Sequence, residues 1–445
     1  MLSFQVSFIC RCYIKVRKCK HFVLFLLFFI TSQATYSFSS QQFYLATEML
    51  SSLKSHEEGE EDSHPHHLHH HPPSPRYLLL RCAELIHRAD HPAARRAVSL
   101  LSATTSPFGD STDRIAHQFT LALSLRLDRL SLLPSPSPTE SSDATQSSYL
   151  SLNQITPFLR FAHLTANQAI LEAIEGHRHI HILDFDTSHG LQWPPFLQAI
   201  ADRSDPSDPP SIRITGTGSD LSVLRRTALR LHSFAASLHL PFQFHPLLVP
   251  PSTTASATNT DISGGATAFH LRPGETLAVN CVLFLNNLLK SDGFRDAHAF
   301  LRSVRALNPV VVTLAEREAS HSSPMFKERF AEALEHYTAV FESLEATLPP
   351  TSGERMTVER VWFGREIAGV VSGEDKHERF ERWEEMMRAA GFLPVPLSAF
   401  ALSQARLLLR LHYPAEGYRL QVVRGSCFLG WKSKPLFSVS SWHCN

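Results

Sequence analysis

The chain has 445 residues, enough for two or three structural units with sizeable cores. Its 42 Lys and Arg balance 42 Asp and Glu, so no overall basic field draws it to phosphate backbones, and any nucleic-acid contact must come from a local patch or a partner. The cysteines, Cys10, Cys12, Cys19, Cys82, Cys281, Cys427 and Cys444, form no CxxC pair and no dense framework, which excludes a disulfide scaffold and reads as free thiols in a reducing compartment.

At the N-terminus Lys15, Arg17, Lys18 and Lys20 precede an apolar run from Phe22 to Ile30, the outline of a secretory signal. The run is shorter than the roughly 20 residues that cross a bilayer, so no membrane partner is expected. Two readings stand for residues 1 to 40: a targeting segment, or a disordered or wrongly assigned leader. From Ser51 to Pro75 an acidic run, Glu57 to Asp62, and a histidine tract, His64 to His71, have no apolar surface to bury and are expected to be disordered. Clustered imidazoles can ligate zinc or nickel, but nothing completes a defined coordination set, so no metal site is assigned.

Order is expected from Arg76, where Leu78, Leu79, Cys82, Leu85, Ile86 and Ala89 recur at helical spacing and the pattern resumes through Val98, Leu100 and Leu101. Ser111 and Thr112 are candidate caps for a helix carrying Ile115, Phe119, Ala122 and Leu123. A Pro/Ser-rich loop is expected from Ser131 to Ser148, then a helix with Thr156 as N-cap and Pro157 in its first position. These units make a helical cap, residues 76 to 175.

At His179 the period changes, and strands alternate with helices as a parallel sheet with crossovers requires. Strands are expected at His179–Phe185, Ile212–Thr215, around Phe242 and Phe244, at Leu277–Leu285 and at Val310–Ala315. Helices are expected at Leu191–Ile200, Leu221–Leu238, Phe294–Leu307, Pro324–Leu348, Glu378–Ala390 and Leu402–Leu411, and a disordered loop at Pro250–Gly265. Three closing strands, Arg419–Val423, Cys427–Trp431 and Phe437–Trp442, lie too close together for crossovers and are therefore antiparallel. The fold class is α/β: a Rossmann-like, doubly wound sheet of methyltransferase layout over residues 176 to 445, with an antiparallel C-terminal ribbon and the helical cap before it.

That layout brings S-adenosylmethionine-dependent methyl transfer into view, with the cofactor at the carboxyl end of the first strand. The turn there, Leu183 to Gly190, has one glycine where a nucleoside wants two or three, and Gly216 with Gly218 is only a lone GxG. Asp184 and Asp186 are a candidate carboxylate pair, read instead as caps of the next helix and loop hydrogen-bonders. The expectation is no catalytic residue and no cofactor.

In order, Pro157-Phe158-Leu159-Arg160, Ala166-Asn167-Gln168-Ala169-Ile170 and His181-Ile182-Leu183-Asp184-Phe185-Asp186 resemble the plant GRAS family of transcription regulators, the last being similar to its VHIID signature. The resemblance covers nearly all of Arg76 to Asn445. The PFYRE block is traceable at Pro309, Phe330, Tyr337, Arg365 and Glu366; Trp383 with Gly391, Leu429-Gly430-Trp431 and Ser440-Ser441-Trp442 resemble the SAW region, with Ser441 in place of alanine. Lys376-His377-Glu378-Arg379 departs from the family's Arg-Val-Glu-Arg and loses an arginine fork. Ser106 to Arg114 and Glu275 to Leu289 are closest to the lateral suppressor branch, regulators of axillary meristem initiation. The resemblance implies a single domain over 76 to 445, action in the nucleus, association with other family members as homo- or heterodimers, and cooperation with zinc-finger DNA-binding proteins.

Trp383, Trp431 and Trp442 read as core. Trp193, before Pro194-Pro195, is read as either a loop anchor or a cleft wall. His181 is read as a satisfied core histidine, and the adjacent Arg365 and Glu366 as serving different partners. Two functions stand beside the enzyme: an adaptor that docks DNA-binding proteins, and a direct DNA reader using Arg225, Arg226 and Arg230, of which the last two share a helix face.

Overall fold

A computed structural model of the chain describes residues 74–130, 142–249, 269–290, 294–413 and 416–445. The leader, the histidine tract and the loop expected at Pro250–Gly265 lie outside them. Ser74–Asn445 forms one compact unit.

The cap opens with α1 (Pro75–His87), where the Ser74 hydroxyl accepts from the Tyr77 amide and proline occupies the first turn. α2 (His91–Thr104) starts the same way on Asp90. α3 (Ser111–Leu130) is capped by Asp110, one residue before the expected Ser111, with its carboxylate 2.9 Å from the Asp113 amide.

The Pro/Ser-rich loop expected to reach Ser148 is shorter, because α4 (Ser142–Ile155) is a helix. Packing overrides its serine-rich composition: Leu152 is buried and Tyr149 lies against Trp362. Thr156 is not a cap for the next helix. Its hydroxyl donates to the Leu152 carbonyl and so closes α4, leaving Pro157 at the N-cap of α5 (Phe158–Ala173) without a side-chain cap. α5 is buried from Phe158 to Leu171 on every side, as befits a helix sandwiched between sheet and cap.

The sheet follows in chain order: β1 (His179–Phe185), α6 (Trp193–Arg203), β2 (Ser211–Gly218), α7 (Leu221–Ser237), β3 (Phe242–Leu248), β4 (Thr276–Val282), α8 (Phe294–Ala306) and β5 (Val311–Arg317). After β5 come α9 (Phe326–Thr347), α10 (Gly353–Thr357), a π-helical turn (Val358–Phe363), α11 (Gly364–Ser372), α12 (Phe380–Ala389), β6 (Phe392–Val395), α13 (Ala399–His412), β7 (Tyr418–Val423), β8 (Ser426–Trp431) and β9 (Lys434–Cys444). Strand order is β3-β2-β1-β4-β5-β9-β8-β7, with β6 also on β9. β1 to β5 are parallel and β9 is antiparallel to β5, β6 and β8. The expected ribbon is therefore continuous with the parallel strands, and β9 is the seam. Both of its faces are covered: Phe437 packs on Phe158 of α5 while Trp442 enters the cluster on the other face, so Ser438, Ser440 and Ser441 are buried too.

Three segments differ from expectation. The strand expected to run to Leu285 ends at Val282, because the Glu316 carboxylate takes the Leu285 amide at 2.6 Å and coils Leu285–Leu289 into a 3-10 turn. Gly353–Ser372 is helical with a π turn inside, fastened by the fork of Arg114 on Glu359, at 2.9 and 3.2 Å. β6 spans four residues, too few for periodicity to register.

Candidate functional site

Strand order reverses between β1 and β4, and open α/β sheets hold ligands outside the carboxyl ends of the strands at such a switch point. The backbone there is unusual: Asp186, Ser188 and Gly190 have φ of 63°, 52° and 63°, the left-handed region that side chains disfavour. The turn is held because the Asp186 amide donates to the Thr217 hydroxyl and the Thr187 amide to the Thr217 carbonyl, each at 2.9 Å. At Gly190 a Cβ would sit 2.5 Å from the Thr227 methyl of α7. At Gly216 it would sit 2.5 Å from both the Phe244 ring and the Thr187 hydroxyl. At these glycines the missing side chain admits neighbouring parts of the chain.

Asp184 lies inside. One oxygen accepts from the Trp193 indole and the other from the Asn280 amide, both at 2.7 Å. Asn280 and Gln192 exchange two bonds, at 3.0 and 3.1 Å, and Gln192 and Asn167 exchange two more, at 2.9 and 3.0 Å. Thr313 donates to Asn280 at 2.9 Å. This closed polar network joins β1, β4, β5, α5 and the start of α6. Burial pushes the Asp184 carboxyl up to about 6, against the hydrogen bonds from Asn280 and Trp193. Above the network Tyr149 of α4 rests on His189 and Trp362, with ring centroids 5.3 and 5.6 Å away. Burial, beside Asp186 and Asp184, keeps its phenol protonated.

One expectation is corrected here. Neither aspartate caps the next helix, whose N-cap is Gln192 without a side-chain bond. Asp184 instead takes the indole of Trp193, while Asp186 is exposed. Trp193 is fully buried and bound inward, so it anchors the turn and is no cleft wall. At this switch point both oxygens of Asp184 are taken by Asn280 and Trp193, and Gly190 and Gly216 abut Thr227, Phe244 and Thr187. Asn280, Gln192 and Thr313 were missed. The available signal was an asparagine inside the apolar run Leu277–Val282.

His181 is fully buried, with Nε2 2.9 Å from the Thr215 hydroxyl and Nδ1 2.9 Å from an Arg213 nitrogen. Arg213 is paired in turn with Glu275. Burial, then Arg213, pushes the imidazole down to about 3, so it is neutral.

Of the PFYRE residues, Phe330, Tyr337 and Glu366 come together: Phe330 and Tyr337 lie 5.3 and 6.3 Å from Phe119 of α3, and the Tyr337 hydroxyl donates to Glu366 at 3.3 Å. Glu366 also pairs with Arg317 at the end of β5, a residue sequence reasoning missed. Pro309 is buried before the other end of β5, and Arg365 is exposed. In the SAW region the Trp383 indole donates to the Glu378 carbonyl at 3.2 Å, Trp431 to Glu342 at 3.2 Å and Trp442 to Ser440 at 2.9 Å; all three rings are buried. Gly391, at φ 89°, ends α12, and its carbonyl accepts from Arg305. His377, in the departing Lys376–Arg379 stretch, is buried with Nδ1 2.9 Å from that of His321.

On α7, Arg225, Arg226 and Arg230 are exposed around Leu229. Arg230 is engaged, donating to the His189 carbonyl at 2.9 Å and to Thr227 at 3.0 Å, and Arg226 reaches Ser222 at 3.4 Å.

Residues 75–443 match the GRAS domain family. Protein MONOCULM 1 of Oryza sativa subsp. japonica is 52% identical over 394 residues, covering 83% of this chain and 88% of that protein. Scarecrow-like protein 18 of Arabidopsis thaliana is 48% identical over 407 residues, 82% of this chain and 91% of that one. The crystal structure of SCL7 in Oryza sativa superposes with a TM-score of 0.70 at 35% identity, covering 84% of this chain and all of that one.

Proposed function

The chain belongs to the GRAS domain family, and from that premise we propose that it regulates transcription in the nucleus as an adaptor, contacting DNA-binding proteins of the zinc-finger class and other members of its family. We place its action in axillary meristem initiation and shoot branching, following the branch resemblance. The observation that supports the non-enzymatic part is the hydrogen-bond network at the switch point. Where a nucleotide-using α/β enzyme keeps a glycine-lined opening, Asp184, Trp193, Asn280, Gln192 and Asn167 satisfy one another. Chemistry needs a reacting atom within about 3 Å of a base or nucleophile, and in this network the carboxylate of Asp184 is already engaged by Trp193 and Asn280. The residue pattern at Pro309, Arg365, Glu366, Trp383, Gly391, Trp431 and Trp442 supports membership in the family and carries the domain as a unit over residues 76 to 445.

Direct DNA reading is the second reading, favoured by Arg225 and Arg226 exposed on α7. It is the weaker one, because net charge is zero and Arg230 is spent on the turn after β1. A mobility-shift assay with purified full-length chain separates them. The adaptor binds promoter DNA only when a zinc-finger partner is present. Salt-sensitive binding by the chain alone, lost in Arg225→Glu/Arg226→Glu, would establish the direct reader and overturn the adaptor.

A further inference from the structure

A proline directly after a serine marks the substrates of one class of protein kinase. The subsite that follows the acceptor serine offers nothing to an N–H, and proline has none to leave stranded. The chain has five such pairs, Ser74-Pro75, Ser106-Pro107, Ser135-Pro136, Ser137-Pro138 and Ser323-Pro324, and one threonine counterpart, Thr156-Pro157. Only Ser74 also has a proline two residues before it, Pro72, and an arginine two residues after it, Arg76. Burial separates them further: Thr156 is fully buried, Ser106 and Ser323 are half-buried, and Ser74 is exposed. Ser135 and Ser137 lie outside the described residues.

Ser74 is the first residue of the compact unit, and its backbone is extended, with φ −58° and ψ 146°, the form in which a kinase cleft takes its substrate. Two bonds close the turn after it: the Tyr77 amide donates to its hydroxyl at 3.3 Å and the Leu78 amide to its carbonyl at 3.1 Å. A first turn held this lightly opens readily, because helix ends fray. Ser323 is tied down harder. Its hydroxyl donates to Glu328 at 2.9 Å and accepts from the Met325 amide at 3.2 Å, while its carbonyl accepts from Arg329 at 2.7 Å.

The charges around Ser74 give a phosphate something to do. α1 has no acidic residue in its first turn, so the positive end of its dipole is uncompensated. An ion pair ties each end of α1 to α9: Glu84 holds Lys327 at 2.6 Å, and Arg76 meets Glu335 at 3.9 Å. The second pair is the looser one, and it lies on the Ser74 end. We infer that Ser74 is phosphorylated by a proline-directed protein kinase and that the phosphate becomes the anionic cap of α1. The Ser74 Oγ attacks the γ-phosphorus of ATP held by the kinase; the bond from that phosphorus to the β–γ bridging oxygen breaks, ADP leaves with the electron pair, and the hydroxyl proton passes to the kinase's base. The phosphoserine carries about −1.5 to −2 charge at pH 7 and three acceptor oxygens. They serve the Tyr77 amide and the helix end, and they draw the Arg76 guanidinium away from Glu335.

The test incubates the folded full-length chain with magnesium, ATP and a proline-directed kinase of the mitogen-activated class, and maps phosphate by mass spectrometry over time. Ser74 should be modified ahead of Ser106, Ser135, Ser137 and Ser323, and Ser74→Ala should remove that phosphate alone. Ser74→Asp blocks the same position while keeping a helix cap, which covers the case of an alanine variant that folds poorly. Hydrogen exchange then reads the cap. The Tyr77 and Leu78 amides should exchange about two- to fivefold more slowly in the phosphorylated chain, the effect of one anion at a helix N-terminus, and phosphatase treatment should restore the original rate. Phosphate on another Ser-Pro serine with Ser74 untouched, or no phosphate on any of them, refutes the site. Phosphate on Ser74 that leaves those two amides unchanged or speeds their exchange refutes the cap.

Discussion

Trp442→Ala tests whether the C-terminal strand is structural. The Trp442 ring is fully buried in the cluster that includes Leu183, Val312, Met387 and Phe392, and its indole donates to Ser440 at 2.9 Å. Truncating a buried tryptophan to alanine costs roughly 3–5 kcal/mol. Unfolding entropy of about 2.1 cal/mol/K per residue, over the roughly 370 residues from Ser74 to Asn445, comes to about 0.8 kcal/mol/K. A loss of about 4 kcal/mol then lowers the melting temperature by about 5 °C. Circular-dichroism melts and urea titration of the full-length protein read it directly, and soluble yield and every partner interaction should fall together. Deleting Phe437–Asn445 is harsher, since β9 is what joins β8 and β6 to β5. Its loss should exceed the roughly 5–15 kcal/mol a domain possesses and leave no cooperative transition. A Trp442→Ala protein that melts within about 1 °C of wild type while losing one partner selectively would show the ring to be a binding residue and the core argument to be wrong.

Asp184→Ala strands the Trp193 indole and the Asn280 amide without an acceptor and should cost about 2–6 kcal/mol at about 1–3 per donor, measured by urea titration. Asp184→Asn keeps one acceptor and removes a carboxylate that burial has raised to about 6, so it should be much milder near pH 7; equal stability of wild type and the alanine variant would dismiss the network. Stability should peak near pH 6 to 6.5. His163, His181 and His321 are pushed down to about 4, 3 and 3 by burial, below the unfolded value near 6.5, so their contribution is whole above that pH and is lost as pH falls, by about 1.4 kcal/mol per unit for each. Glu316 and Glu318, raised by burial to about 8 and 7, contribute below the unfolded value near 4 and lose it as pH rises through 7 and 8. Melting temperatures that climb steadily from pH 6.5 to 8 would contradict this. Calorimetry should detect no useful binding of S-adenosylmethionine; a micromolar complex, about 8 kcal/mol, would reopen the enzyme. A fluorescent fusion should accumulate in the nucleus with or without residues 1 to 40, and cleavage near Ala34 with export would identify the leader as a signal.

Period and punctuation in the sequence placed most elements: β1 agrees residue for residue with His179–Phe185, α7 and α9 agree within two residues at each end, and the closing strands are antiparallel. Those features depend on neighbours a few positions apart, which a sequence displays. The motifs around His181, Pro309 and Trp383 carried the family in the same way. What only the tertiary structure decided concerns groups far apart in the chain. Asp184 meets Asn280 across 96 positions, and Arg114 meets Glu359 across 245. No local pattern marks such partners, so Asp184 read as a helix cap when its acceptors were already taken by an indole and an amide. α4 and the π turn follow the same rule, since each is stabilised by what it packs against and neither by its own composition. β9 alternates serines with larger residues, the pattern of a strand with one face buried. Its place at the seam, with α5 over one face and the Trp442 cluster on the other, buries serine and tryptophan alike, and position in a sheet is a property that strand pairing confers and no single strand encodes.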